Sequence, residues 1–288
     1  NHKKIFDHFE RERQTQMEIL NDVDALREQK TQLQSEYATK EEEVVEFKDK
    51  LNEVVSRLYG LENLRDNFEG FQEGVKSVMF WQKESLEGLS EEEKEARRNF
   101  LPVSDIVRVP EQYEVAMEAV LGPKLQMLVS ENQEKSLEAV EYLKEQKSGR
   151  STFYSAGGQA LESHDGSEVS LMKGMNGVQA LLTDVIQVPE KHQQVVGKLL
   201  DNVAVVENIR AGLDLRGQFP AWTFVTQEGD VVTPEGMLSG GYKGDASSGV
   251  LKREREIDEL KKAKEEWSGK LALATATMKT VEGKVKQV

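Results

Sequence analysis

The stretch Ser104-Asp-Ile-Val-Arg-Val-Pro-Glu111 recurs 79 residues later as Thr183-Asp-Val-Ile-Gln-Val-Pro-Glu190. Its β-branched residues suit a buried strand, and the proline and glutamate that follow are typical of the start of a helix. After each copy the predicted elements come in the same order: a helix, a short apolar strand, a second helix and a further strand. This shared order favours duplication over chance similarity. The middle of the chain is therefore predicted to be α/β (α+β), with two copies of one subdomain.

Within each copy, the short apolar strand is predicted at Leu125–Val129 and at Val203–Val206. The second helix is predicted at Ser136–Lys147 and, in a shorter form, at Ile209–Arg216. A segment with several glycines and serines, residues 155–177, separates the copies and is predicted to be a loop or linker.

Both ends of the chain carry heptad patterns. Between Ile5 and Leu61, steps of four and three define a seam in which thirteen of seventeen positions are apolar. A period of 3.5 residues over about eight heptads predicts a coiled coil. The same spacing returns from Val250 to Val288. The seam lysines Lys30, Lys40 and Lys264 are expected to reach toward solvent.

Each apolar seam needs a partner, and the other end of the chain is the nearest candidate. Two helices leaving one compact middle must pair antiparallel. The N-terminal helix is the longer, so about its first two dozen residues are expected to lack a partner. The predicted domains are a coiled-coil helix at 1–64, a first subdomain with a lead-in helix at 65–154, the linker, a second subdomain at 178–248, and a coiled-coil helix at 249–288.

The composition excludes several classes of protein. The 288 residues carry a formal charge of −14, which argues against an unstructured basic arm. Cysteine is absent, so the chain has no disulfide framework, thiolate zinc site or cysteine nucleophile. No apolar run approaches the roughly 18 residues of a membrane span. The first residue is Asn rather than Met, which indicates a fragment of a longer protein.

The most unusual stretch is Gly229-Asp-Val-Val-Thr-Pro-Glu-Gly-Met-Leu-Ser-Gly-Gly241. Its start is predicted to be a β-hairpin with a Glu-Gly-Asp turn. Clustered glycines suit either phosphate binding or the close approach of another protein's backbone. The sequence has no G-x4-G-K-[ST] motif and no G-x-G-x-x-G opening a helix, which favours the protein contact.

This motif, following a Phe-Val-Thr strand, resembles the hinge of structural maintenance of chromosomes (SMC) proteins. Three further stretches resemble that hinge: Phe68–Val75 as the lead-in, Tyr113–Gly122 as a first-half helix, and Gly149–Phe153 as a glycine-arginine strand. The resemblance implies a doughnut-shaped dimer with two interfaces between subdomains of two chains. It also implies a cytoplasmic, nucleoid-associated ATPase involved in chromosome condensation and partition, whose ATP-binding heads are absent from this sequence. The prokaryotic members are the most similar, which favours a homodimer.

From these patterns we expect Gly229, Gly236, Gly240 and Gly241 at the dimer interface. Lys243, Lys252, Arg253 and Arg255 form the best candidate basic cluster for weak, possibly single-stranded, DNA binding. For this cluster, the alternative that these charges pair with neighbouring acids stays open. As a whole, the chain could instead be a single-stranded-nucleic-acid-binding module, or a coiled-coil spacer or interaction protein.

The sequence does not favour an enzyme. The four histidines, His2, His8, His164 and His192, are far apart. Three of them lie in polar helix or loop contexts, where solvated surface positions are expected. The adjacent Ser163, His164 and Asp165 do not by themselves make a catalytic triad. No catalytic residue, metal site, cofactor, membrane contact or small-molecule substrate is predicted.

Overall fold

The protein is described by a computed structural model that covers residues 2–155, 166–241 and 249–288. The chain divides into two compact units. One unit consists of Asn1–Gly60 and Glu259–Val288, and we call it the arm. The other, Leu61–Asp258, we call the central domain.

Eleven α-helices, two short 3-10 helices (Gly122–Gln126 and Glu190–His192) and eight strands lie in the described ranges. The first group is α1 (His2–Asp66), α2 (Glu73–Ser85), α3 (Glu91–Ala96), β1 (Phe100–Pro102), α4 (Val103–Ile106), α5 (Glu111–Leu121), β2 (Leu128–Ser130), α6 (Gln133–Gln146) and β3 (Phe153–Ser155). The second is α7 (Gly166–Lys173), β4 (Val178–Leu181), α8 (Leu182–Val185), α9 (Gln193–Leu199), β5 (Val203–Val206), α10 (Ile209–Arg216), β6 (Thr223–Thr226), β7 (Val231–Val232), β8 (Leu238–Ser239) and α11 (Val250–Gln287).

The two halves of the central domain repeat one topology. In the first sheet, β2 lies between an antiparallel β1 and a parallel β3. In the second, β5 lies between an antiparallel β4 and a parallel β6, and β7 and β8 extend the sheet beyond β6. The helix after the middle strand starts in each half at an asparagine cap: Asn132 accepts from the Lys135 amide, and Asn208 accepts from the Arg210 and Ala211 amides. The duplicated mixed fold is therefore confirmed.

The repeated stretches themselves are not strands. Val103–Ile106 and Leu182–Val185 form single helical turns, and the strands come just before them. Arg108 then forms an isolated antiparallel bridge with Gln187, each amide donating to the other carbonyl at 2.9 Å. These two residues are equivalent in the repeat. The β-branched stretches thus join the two copies to each other and do not fill the interior of either sheet.

Three apolar clusters form the core, and the largest lies between the halves. It takes Val129 from β2, Val205 from β5 and Val225 from β6. The residues next to them point to the opposite faces, because side chains alternate along a strand. Leu128 therefore packs in a first-half cluster, and Ala204 packs in a second-half cluster.

The segment predicted as a linker, residues 155–177, is not all loop. It contains α7, whose Met172 is fully buried in the second-half cluster with Trp222. Residues 156–165 lie outside the described ranges.

In the arm, the predicted seam is the face that packs. Every seam position from Leu33 to Leu58 is buried or half-buried. On α11, Trp267, Ala274 and Val281 are likewise wholly or partly buried, whereas Lys264 is exposed. The heptad register read from the sequence is therefore correct over the paired length.

One ring contact and one electrostatic interaction between the helices give the direction of pairing. The rings of Phe47 and Trp267 are 5.7 Å apart. The pKa of Lys286 is raised first by its hydrogen bond and ion pair with Glu282, and Tyr37 adds a smaller contribution. Moving backward along α1 thus moves forward along α11, as an antiparallel coiled coil requires. Residues 6–32 of α1 are all exposed, including Phe6 and Phe9, as the difference in helix lengths predicts.

The lead-in helix α2 is fixed by a contact between glycines. A Cβ on Gly74 would overlap the backbone of Arg150, and one on Gly149 would lie 2.9 Å from the Gly74 nitrogen. Gly149 also has a positive φ of +86°. Only glycine allows this approach, because any side chain would separate the two backbones.

Replacing Gly74 with alanine should destabilise the protein. The added methyl group meets backbone rather than a flexible side chain, so we expect a loss of about 1–3 kcal/mol in the free energy of unfolding. Gly60 in α1 is the matched control, because nothing lies within 4 Å of its added Cβ. Gly60→Ala should stabilise by about 0.5–1 kcal/mol through helix propensity. Urea unfolding of both variants tests this, and equal effects would contradict the assigned contact.

Candidate functional site

The glycine loop connects the last strands of the second sheet. The predicted hairpin is present: Phe224 pairs with Val232, and Val225 pairs with Val231. Gly229 lies in its turn with a φ of +91°. A Cβ there would lie 3.0 Å from Cγ1 of Val115, so the turn packs against helix α5 of the first half.

Contacts within this chain explain why the other positions of the motif are glycine. Gly236 has a φ of +88°, and its missing Cβ leaves room for the Arg216 guanidinium, which donates to the Pro234 carbonyl at 3.3 Å. A Cβ on Gly240 would overlap the Asp230 carboxylate. That carboxylate accepts from the Gly241 amide at 3.1 Å. The motif therefore shapes the loop, whatever else it contacts.

The loop presents an unpaired strand edge. Strand β8 pairs only with β7 in the described part of the chain, and both of its residues are exposed. Met237 and Leu238 are 60% and 59% exposed. Unpaired edges with exposed apolar side chains are templates for pairing with another chain. Sequence reasoning selected the glycines and missed these two side chains between them, although both stand in the motif.

Three of the four predicted basic residues are described, and their side chains lie in different environments. Lys243 lies outside the described residues. The Lys252 side chain is exposed. Arg253 and Arg255 are instead engaged with the central domain.

The two arginines fasten the start of α11. Arg255 Nε donates to Oε1 of Glu114 at 2.6 Å, and Glu114 is only 7% exposed. Arg253 Nη1 donates to the Glu69 carbonyl at 2.8 Å, and its guanidinium lies 5.9 Å from the centre of the Phe71 ring. A further ion pair joins Arg108 to Asp258 at 2.7 Å. These contacts hold the first two turns of α11 against three segments of the central domain.

Beside these pairs lies a buried carboxyl group. Glu254 is 4% exposed, and burial raises its pKa to about 7, with the negative charge of Asp105 adding to the shift. The pKa of Asp105 is itself raised, mainly by burial.

His192 is half-buried, unlike a fully solvated surface histidine. Both ring nitrogens of His192 are buried and have no hydrogen-bond partner, and burial lowers its pKa. It occupies the repeat position of Tyr113, a core residue. His8 is exposed as expected, 3.9 Å from Glu12. The adjacent Ser163, His164 and Asp165 lie outside the described ranges.

Two other kinds of site are absent from the described ranges. No group of three or more histidine or acidic side chains there is arranged to hold a metal ion. None of the helices in these ranges combines the length and apolar character needed to cross a membrane.

Comparison with protein families identifies this architecture. Residues 97–216 match the model of the SMC proteins flexible hinge domain. That range runs from just before β1 to the end of α10, and so includes most of both halves. The chain contains an SMC hinge domain.

Curated relatives support the assignment of the hinge. The chain is 33% identical over 233 residues to the chromosome partition protein Smc of Myxococcus xanthus, covering 80% of this chain and 18% of the relative. It is 27% identical over 274 residues to the Smc protein of Bacillus subtilis, covering 93% of this chain and 22% of that one. The chain thus spans about a fifth of the length of these relatives.

Solved structures show the same fold. The SMC hinge domain of Geobacillus stearothermophilus, crystallised as an asymmetric dimer, superposes with a TM-score of 0.76 at 22% identity, covering 88% of this chain and 98% of that one. The folded elbow of cohesin matches with a TM-score of 0.55 at 18% identity, over 90% of this chain and 37% of the other.

The exit contacts predict that Arg255 stabilises the hinge. Arg255→Met leaves the Glu114 carboxylate buried without its cation, which should lower the free energy of unfolding by about 3 kcal/mol. Lys252→Met, one turn from it on an exposed position, should change stability by less than about 0.5 kcal/mol. Urea unfolding gives both values.

A double variant distinguishes the ion pair from simple loss of packing. Adding Glu114→Gln to Arg255→Met removes the uncompensated charge and should restore part of the stability. Purely additive effects would contradict the pairing.

Proposed function

We propose that this chain is the dimerisation hinge of a chromosome-partition SMC protein, joining two such chains and folding the coiled-coil arm back on itself. The observation that carries the proposal is the exposed edge of β8, which presents Met237 and Leu238. An apolar strand edge left in water is a liability unless another strand covers it.

The first half offers a complementary edge. Its strand β3 is the repeat equivalent of β6, but among the described residues β3 ends its sheet, whereas β6 is covered by β7 and β8. The β8 edge of one chain can therefore extend the first sheet of a second chain. The second chain's β8 makes the same contact in return. Two identical interfaces related by a twofold axis close the assembly, so it stops at a dimer.

The role of the full-length protein rests on its relatives. Proteins named chromosome partition protein Smc are several times longer than this chain. We infer that the hinge serves a homodimeric, cytoplasmic and nucleoid-associated ATPase of this kind, with ATP bound by parts outside this sequence. The hinge itself is assigned no catalysis.

Replacing Leu238 with aspartate should disrupt the dimer. A carboxylate at this position would be buried without a partner at the interface, so we expect the dimer dissociation constant to rise by about 30-fold or more, the effect of removing a hot-spot residue. The monomer should fold normally, because the side chain is already exposed in one chain. Sedimentation equilibrium measures the dissociation constant, and circular dichroism reports the fold.

Leu171→Asp is the matched control. Leu171 is 60% exposed and lies on α7, which packs on β4 at the opposite edge of the second sheet. It should dimerise like the unmodified chain. Leu238→Asp with unchanged dimerisation would refute the β8 interface. These variants test it better than aspartate at Gly240, which would also collide with Asp230.

DNA contact is the second proposed role, and Lys252 is the described residue that best supports it. We expect weak binding, with single strands or ends favoured over long duplex because the hinge is acidic. Lys252→Glu should reduce the slope of log K against log salt by about 0.7 for each single-strand phosphate that the variant no longer neutralises. Lys264→Glu, an exposed lysine further along α11, is the control. An unchanged slope in Lys252→Glu would assign any DNA contact to other residues.

A further inference from the structure

The first turns of α11 are built into the hinge rather than lying on its surface. Val250 belongs to the first-half cluster, and Leu251 belongs to the large cluster between the halves. Ile257 is fully buried. Between them Glu254 brings an acidic side chain into the same apolar surroundings. An apolar side chain at position 254 could be buried there without bringing a charge into the core.

The arginines around Glu254 pair with other groups. Arg108 pairs with Asp258 at 2.7 Å and also donates to the Asp105 carbonyl at 2.9 Å. Arg253 donates to the Glu69 carbonyl. Nε of Arg65 lies 3.3 Å from Oδ1 of Asp66. These arginines lower the energy of a charge on Glu254 from a distance, while their own nearest partners are other groups.

Glu254 and Arg253 have buried polar atoms that lack hydrogen-bond partners. Oε1 of Glu254 is buried and has no hydrogen-bond partner, and Nε and Nη2 of Arg253 are in the same situation. A buried acceptor without a partner is costly, more so when it is charged. A cleft of about 750 Å³, lined by Glu254 and Asp105, opens beside them and gives protons access.

The groups that face Glu254 belong to every neighbouring element. The groups that act on its charge are Arg65 of α1, Asp105 of α4, Arg108 after α4, and Arg253 on α11. The other titratable groups that line the same cleft are Asp66, Lys83, Glu87, Glu91, Lys94, Glu95, Arg98, Lys191 and His192. Asp105 is the acidic group whose negative charge repels a negative charge on Glu254.

We propose that Glu254 is a proton-controlled latch between α11 and α4: with its proton bound, the carboxyl group packs in the hinge and seats the first two turns of α11, and loss of the proton loosens them. The neutral carboxyl group is compatible with the apolar surroundings. The carboxylate adds an uncompensated charge beside Asp105. This property is independent of dimerisation and of DNA contact.

The direction of the pH effect follows from the shift. Glu254 has an ordinary pKa of 4.5 when the segment is open and a pKa of about 7 when it is seated. Below about pH 4.5 both states carry the proton, and the seated state is at its most stable. As pH rises to about 7, the open state loses its proton first, so opening becomes easier. Above about 7 both states are ionised, and opening no longer changes with pH.

Hydrogen exchange of the full chain tests the latch. After correction for intrinsic exchange, the opening constant of amides 250–257 should rise on the order of tenfold per pH unit between about pH 5 and 7 and then level off. Glu254→Gln, which mimics the protonated form, should lose most of this rise. Glu265→Gln, an exposed acid on the same helix, should behave like the unmodified chain.

Asp105→Asn provides a second test that keeps Glu254. Removing the neighbouring negative charge should move the levelling-off point to lower pH. The proposal is overturned if Glu254→Gln retains more than half of the logarithmic rise. If Glu254→Gln does not fold, an unmoved levelling-off point in Asp105→Asn overturns it instead.

Discussion

The apolar contact between the two halves of the hinge is the constraint on which the rest of the structure depends. Strands β2, β5 and β6 each turn alternate side chains toward it, so neither sheet can bury both faces without the other half. The backbone bridge between Arg108 and Gln187 fixes the register of this contact at equivalent positions of the repeat. The halves are therefore one folding unit, and their outer edges β3 and β8 are held in a fixed relation within each chain.

A fixed relation between two edges favours a closed dimer. If the halves moved freely, pairing at one edge would leave the second pairing with an ordering cost. In the proposed dimer, the shared core would hold both edges, so the first contact would position the second and the two interfaces would act together. The turn at Gly229 adds to this, since it packs the hairpin of the second half on α5 of the first.

Part of the charge at the exit of α11 is paired within the fold. Arg255 neutralises the nearly buried Glu114, and Arg108 neutralises Asp258. The sequence shows only a run of basic and acidic residues, for which surface DNA binding and internal pairing are equally reasonable. The choice between them depends on which residues of α5 and of the 107–109 segment face the run, and these are more than 130 positions away in the chain. That information is not local.

Much of the fold can nevertheless be read from local patterns. The heptad seam, the strand Val203–Val206 and the helix Ile209–Arg216 follow from residue patterns, the duplication follows from the repeated stretch, and all of them match the structure. The composition of the repeated β-branched stretch is typical of strands, whereas tertiary contact makes it a helical turn and a bridge. The approach of Gly74 to Arg150 and the burial of the His192 ring nitrogens likewise depend on distant partners. The glycine motif marks the correct loop, but the importance of the exposed apolar pair within it depends on β8 being an edge strand.

Sedimentation equilibrium of the unmodified chain is the most direct measurement of the central claim that this hinge joins two chains through its strand edges. We expect one species with twice the 32.5 kDa of a single chain at micromolar concentration, with no larger assemblies, because the two proposed interfaces would close on each other. A species that stays at 32.5 kDa, or one that grows without limit as concentration rises, would contradict it.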